Sequence, residues 1–383
     1  MKTAVSPVIS RTKVERIADA ILYEGYILYP YRASAVKNRQ RWNFGALCPD
    51  SYAASQHGTE ISMMQTQCLV LGDSVTRMQV KVRFLHLLLR EVGTISDCRL
   101  PLAECGHLQA GFPGRHFQLV PVLEVNGQQF QSWQEAVERE VVVPDFVIGS
   151  LRSDKKTVEF NFPASKVTEL LSDEKTGKAS GLVVRTQEAI KGRVEISAAR
   201  LAVTDDTAIN HQSPMVNRHC FGLTVTIHNL TDFPAADQTT RDAALLRSLV
   251  SSHTILSVAN GEFISLLEYP ESYRAAATSC TNIGTYPVLV GEEGARDCML
   301  SSPIILYDYP QIAAESAGDL FDSTEIDEIL TLRIMTLSDD EKREIRSVDS
   351  RARELLERTE TLPAEQFMKL HGAMKGVTRK ADE

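Results

Sequence analysis

The clearest pattern along the chain is alternation of apolar and polar positions. Between Met78 and Arg90, Val80, Val82 and Phe84 are set against Lys81 and Arg83, the period-two signature of a strand with one buried face. Leu119–Val125 repeats the theme and runs into Asn126-Gly127, a dipeptide that favours the tight turn of a β-hairpin, before Gln128–Phe130. Short strand-like runs recur at 68–71, 141–148, 157–162, 181–186, 192–203, 221–230, 253–258, 262–267, 286–290 and 302–307, separated by Gly, Asn, Asp and Pro. That spacing predicts antiparallel sheets and lacks the alternation of strands with long helices that marks an α/β protein.

Helical spacing is confined to a few places. Thr12–Glu15 has the form of a capping box, and Val14, Ile17, Ala18, Ile21 and Leu22 fall on one helical face, so a short helix is expected over 13–24, ended at Gly25. A second helix is expected over 238–249, where Leu245, Leu246 and Leu249 share a face. After Pro310 the pattern changes. Asp319–Glu325 is rich in capping residues ahead of Ile326, Ile329, Leu330 and Ile334, and Ser338–Glu341 is a capping box opening a helix over 339–360. There Ile345, Val348, Ala352 and Leu355 repeat at intervals of three and four on an otherwise charged surface. Such a seam is wide enough for one partner helix or groove. Pro363 opens a third short helix with Phe367, Leu370 and Met374 on one side.

The resulting expectation is a mainly β protein: an antiparallel β-sandwich-like core over 1–310, built as one unit or as two dividing near residue 150, with a short N-terminal helix and a charged helical C-terminal tail over 311–383. A chain of 383 residues with 43% hydrophobic and 24% charged residues supports a sizeable core. The net charge of −9 argues against general nucleic-acid binding. Residues 1–50 carry eight Lys/Arg against four Asp/Glu, a balance of +4, and residues 311–383 carry eleven against seventeen, a balance of −6. The two ends are thus suited to attract each other or to divide two partners between them. There is no apolar signal segment and no run of eighteen apolar residues, so the expected compartment is the cytoplasm, without a membrane span. The seven cysteines form no Cys-x-x-Cys pair and read as reduced, mostly buried thiols.

The richest concentration of chemistry lies at Gly25–Leu47, where Tyr26, Tyr29, Tyr31, Trp42 and Phe44 surround Arg32, Lys37, Arg39 and Arg41. On a strand, Lys37, Arg39 and Arg41 would line one side as a positive ladder, and Trp42 could stack on a guanidinium. Tyr29, Tyr31, Arg32, Lys37, Arg39, Arg41 and Trp42 therefore form a binding surface for a protein partner or a clamp for the chain's own acidic tail. Metal readings are weaker. Cys220 and His228 share a strand face but lie roughly 27 Å apart at strand rise, with His219 opposite and His211 remote, and no metal ligand is assigned. Asp319, Asp322, Glu325, Asp327 and Glu328 lack calcium-loop spacing and suit helix starts. No hydrolase elbow, phosphate loop or other catalytic motif occurs, so no catalytic residue and no cofactor is assigned.

Residues 20–54, from Ala20-Ile21-Leu22-Tyr23 through Arg41-Trp42-Asn43-Phe44-Gly45, and 299–358, including Ser301–Pro310, Gly318–Asp322 and Ile326–Arg333, resemble an uncharacterised bacterial protein family encoded in gene clusters of uptake nickel-iron hydrogenases. The resemblance implies an accessory or assembly role and no known activity. The leading expectation is a non-catalytic protein that binds a partner, for which the gene setting suggests a hydrogenase subunit during maturation. The rival expectations are a metal-dependent hydrolase or redox helper built from scattered residues, and a structural homo-oligomer.

Overall fold

The computed structural model describes residues 7–23, 44–95, 117–152, 155–177, 179–202, 218–233 and 240–311, with isolated positions between 338 and 361. Helix α1 (Pro7–Leu22) leads to the short α2 (Asp50–Ser55), then β1 (Met63–Gly72) and the long β2 (Arg77–Ile95). After β3 (Phe117–Val120), β4 (Val122–Val125) and β5 (Gln128–Gln131) come β6 (Trp133–Val147), β7 (Lys156–Phe162), β8 (Ser165–Ser172), β9 (Ala179–Gln187), β10 (Ile190–Leu201) and β11 (His219–Asn229). The described chain continues through α3 (Arg241–Leu245), β12 (Val250–Ala259), β13 (Glu262–Ile264), α4 (Arg274–Ser279), β14 (Tyr286–Leu289) and β15 (Cys298–Ser302).

The protein is mostly β, and its sheets are antiparallel. One sheet has the order β13-β1-β11-β10-β7; the larger one has the order β14-β15-β12-β2-β9-β8, with β3 and β6 also paired to β2. Both sheets draw strands from before and after residue 150. The alternation read from sequence sets the packing: Val80, Val82 and Phe84 of β2 share one buried cluster with Met64, Cys68 and Val70 of β1, Val194 and Ile196 of β10, and Leu223, Val225 and Ile227 of β11. The two sheets therefore face each other across a common apolar core. Burying the Phe84 side chain there contributes about 2–3 kcal/mol relative to exposure, and its ring lies 5.9 Å from Phe160 and 5.8 Å from Phe162. Asn126 and Gly127 adopt φ of 52° and 77°, the turn that the dipeptide predicts, and the β4–β5 hairpin seals a smaller cluster through Leu123 and Val125.

Several boundaries differ from the sequence reading. β6 begins at Trp133 rather than Val141, because its polar first half is held by charge: Glu135 pairs with Arg90 and Arg185, Glu138 with Arg83, and Glu140 with Lys81. β1 begins at Met63 rather than at residue 68, and the short helix at Asp50–Ser55 was not expected. β8, which was not expected, pairs with β9 along an exposed edge. The helix expected over 238–249 is the single turn α3, opened by the Thr240 cap; Leu249 instead pairs with Leu47. The strand expected over 302–307 is not formed: the ladder ends at Ser302, and 303–309 bends at 303–304 and again at 308–309 without strand pairing.

Candidate interaction surface

α1 lies on the outer face of the large sheet. Val14, Ile17, Ala18 and Ile21 pack on Ile255, Val290, Cys298 and Leu300, while Leu22 and Tyr23 join Leu85, Leu87, Leu245 and Val250. Charged groups rim this seam. Arg83 bonds Asp19 of α1 at 2.7 Å and Glu138 of β6 at 3.2 Å, Lys81 reaches Glu140 at 3.2 Å, and the Tyr23 hydroxyl donates to Glu138 at 2.7 Å. Arg83 is buried, but its partners Asp19 and Glu138 are each about half exposed, so solvent screens these pairs, as it does Lys81–Glu140.

A β-bulge holds the joint. The β2–β12 register shifts between Val250 and His253, and Ser251 adopts φ of 53°. The polar groups this frees from the ladder are used elsewhere. The Ser251 amide donates to the Phe44 carbonyl at 3.1 Å, the Ser252 amide to the Gly45 carbonyl at 3.0 Å, and the Ser251 hydroxyl to the Ile21 carbonyl at 3.2 Å. The chain segments on either side of residues 24–43 are thus fastened to the same two serines. His253, opposite Arg83 on this face, is fully buried, and its Nδ1–H donates to the Ser251 carbonyl at 3.0 Å. Burial pushes its pKa down to about 4, so the ring is neutral at pH 7, and Nε2 has no hydrogen-bond partner among the described residues.

Residues 303–309 form a rail beside the joint. A Cβ on Gly45, whose φ is +55°, would meet Pro303 Cγ at 2.6 Å, so the absence of a side chain lets the two segments touch. Ile304 and Leu306 then turn in against the α1 cluster, and the alternation sends Ile305 and Tyr307 outward, 74% and 86% exposed. The far end is clamped. Asp308 accepts hydrogen bonds from the Leu289 amide at 2.7 Å and from the Ser265 hydroxyl, and Tyr309 bonds the Leu289 carbonyl at 2.8 Å and the Ala295 carbonyl at 2.9 Å. Two large apolar groups are thereby held in water on a braced backbone, the arrangement that lowers the ordering cost of docking a partner. Sequence reading missed them because the same alternation reads as a strand; Pro303 and the Asp308–Pro310 stop were the available signals.

Tyr29, Tyr31, Arg32, Lys37, Arg39, Arg41 and Trp42 lie outside the described residues, as do Ile345, Val348, Ala352 and Leu355 of the tail seam and the acidic positions 319–328. His211 does too, whereas His219, Cys220 and His228 lie on β11. Among the described residues no three His, Cys, Asp or Glu side chains gather to hold a metal ion. Burial raises the Cys48 and Cys220 thiols to about 11 and pushes Cys68 up as well, so these sulfurs are protonated at neutral pH rather than poised as nucleophiles. Among the described residues no helix is long and apolar enough to cross a membrane.

No protein-family model matches the chain, and no curated protein matches it. Among solved structures, the secretin InvG of the Salmonella SPI-1 type III secretion injectisome is 11% identical over 75% of each chain with a TM-score of 0.09, a likeness that carries no argument about fold or role.

Proposed function

We propose that this chain is a non-catalytic accessory protein that works by binding another protein, with the rail and the adjoining α1 joint as its docking face. The observation that carries the reading is the braced exposure of Ile305 and Tyr307: Asp308 and Tyr309 lock the segment on one side and Pro303 seats it against Gly45 on the other. The sandwich-like pair of sheets serves as the rigid support. The two sequence blocks that resemble the hydrogenase-cluster family bear on the setting. The end of α1, from Ala20 to Leu22, and Phe44–Leu47 belong to the first, Ser301–Pro310 to the second, and they meet at this joint. On that basis the proposed partner is a nickel-iron hydrogenase subunit during assembly.

The test is affinity purification from the native cell with wild-type protein and with the Ile305→Asp/Tyr307→Asp double variant, followed by identification of bound proteins. A hydrogenase subunit retained by the wild type and lost by the folded variant is the expected result. Normal hydrogenase assembly and activity after deletion of the gene would refute the assembly role, and equal retention by both proteins would remove the rail from the interface.

A further inference from the structure

The two sheets of the sandwich merge at one end. Along one edge β2 pairs with β12 over 77–85 and then with β9 over 89–94, while β6 lies along its other edge over 77–90. β7 and β10 pair in the smaller sheet up to Phe162 and Ile190, and the same two runs of chain pair again in the larger sheet from Ser165 and Gln187, as β8 and β9. Two antiparallel ribbons thus leave opposite layers of the body and join in one arm, which also carries β3 and the β4–β5 hairpin. The arm has its own buried cluster of Val92, Leu123, Val125, Leu171 and Val183, and none of these belongs to the body cluster around Phe84.

Apart from β6, the crossings lapse at one level. On the β9 edge His86, Leu87 and Leu88 have no ladder partner among the described residues, although the register would continue with Leu88 opposite Gln187. Pro163 and Ala164 likewise face Glu188 and Ala189 outside the ladder, and the proline has no N–H to offer. Side chains fill the fork instead. His86 is fully buried, and its Nε2–H donates to the Glu188 carbonyl at 2.9 Å. The Gln187 amide donates to the His86 carbonyl at 3.4 Å, and its oxygen accepts from Arg139 at 3.0 Å. Arg139 lies over the ring of Phe162, 4.8 Å from its centroid. Two buried atoms at this place, His86 Nδ1 and Arg139 Nε, have no hydrogen-bond partner among the described residues, so the contacts leave hydrogen-bonding capacity unused.

We infer that the fork is a hinge: the arm turns relative to the body about 86–88, 163–164 and 188–189, β6 flexes across it, and the His86–Gln187–Arg139 contacts are the latch that holds the closed position. A hinge requires a few residues whose dihedral angles can change without breaking a ladder, and the unpaired positions supply them. Leu87 packs with Leu22, Tyr23 and Val250, which keeps the body side of the fork fixed. Opening breaks side-chain hydrogen bonds and leaves the ladders and buried clusters on both sides intact, so it demands less than unfolding either part. The inference does not rest on the docking face proposed above.

The experiment is single-molecule energy transfer in the full chain between dyes at positions 142 and 167, attached through noncanonical residues so that the seven cysteines stay unlabelled. Val142 on β6 belongs to the body and Val167 on β8 to the arm, and both are exposed. One transfer efficiency is expected to dominate in the wild type. Gln187→Leu keeps the bulk and removes the latch hydrogen bonds, and it is expected to raise a second population at least about fivefold, the loss of roughly one net hydrogen bond. Arg139→Met removes the same bond to Gln187 from the other side, and urea below the unfolding midpoint is expected to raise the same population in the wild type. A dye pair at 75 and 142, both in the body, is expected to keep one efficiency throughout. A single unchanged efficiency for 142–167 in the folded variants and in urea would overturn the hinge, and so would splitting of the 75–142 pair along with it, which would mean that the whole sandwich loosens.

Discussion

His253 and His228 stand on the outer faces of different sheets, and burial lowers the pKa of both. Their surroundings are otherwise opposite. His253 is fully buried, with one nitrogen bonded to its own bulge and the other facing no partner among the described residues. His228 is half-buried and opens to a cleft lined by Asp50, Ser62 and Asp232. The same direction of shift therefore accompanies a sealed joint in one case and an accessible recess in the other. Burial identifies a neutral imidazole; only what lies beyond the ring distinguishes a sealed position from an accessible one.

The largest expected effect separates the two through pH. For His253 and for the inner-face His86, also pushed to about 4 by burial, the unfolded chain takes up protons near pH 6.5 while the folded one resists until about pH 4. Stability is fully present above about pH 6.5 and falls as the pH drops toward 4, by at most on the order of 3 kcal/mol for each ring. Denaturant melts at pH 7.0, 5.5 and 4.5 measure the slope. His253→Gln is expected to remove about half of it and His228→Gln much less; equal slopes in all three proteins would dissolve the distinction between the sealed ring and the open one.

The next effect tests whether the joint depends on close contact. Gly45→Ala forces a side chain into a left-handed conformation and into Pro303 at the same time. The conformational cost of about 1–2 kcal/mol and the overpacking cost of about 1–3 kcal/mol combine to roughly 3 kcal/mol. A urea midpoint that hardly moves would show that the rail can swing away from Gly45, and the braced exposure of Ile305 and Tyr307 would lose its basis.

Local alternation made the core strands legible: Val80, Val82 and Phe84 point where the pattern says, and Asn126-Gly127 turns as its chemistry requires. What stayed hidden depended on partners distant in sequence. The first half of β6 looks too polar for a strand until Arg83, Arg90 and Arg185 are placed against its glutamates. Ile304–Tyr307 has the right alternation, yet Ile304 and Leu306 pack against a cluster shared by α1 and the outer face of the large sheet rather than pairing as a strand. His228 was weighed against Cys220 along its own strand, whereas the groups that share its cleft, Asp50 and Ser62, come from the segments entering β1. The basic and aromatic side chains of 29–42, and the tail seam, belong to expectations beyond the described residues.

The smallest expected effect on stability is also the most discriminating. Asp50 is solvent-exposed and its one side-chain hydrogen bond, from Ser62, can be kept by the amide oxygen of asparagine, so Asp50→Asn is expected to shift the unfolding free energy by less than about 0.5 kcal/mol. The change nevertheless removes a negative charge that favours the imidazolium form of His228, so the pKa of that ring is expected to fall further below its usual value while that of His253 stays put. Histidine Hε1 shifts followed against pH read both rings in one experiment. Movement of His228 alone ties its protonation to the Asp50 carboxylate; if neither ring responds, Asp50 is electrostatically remote from His228.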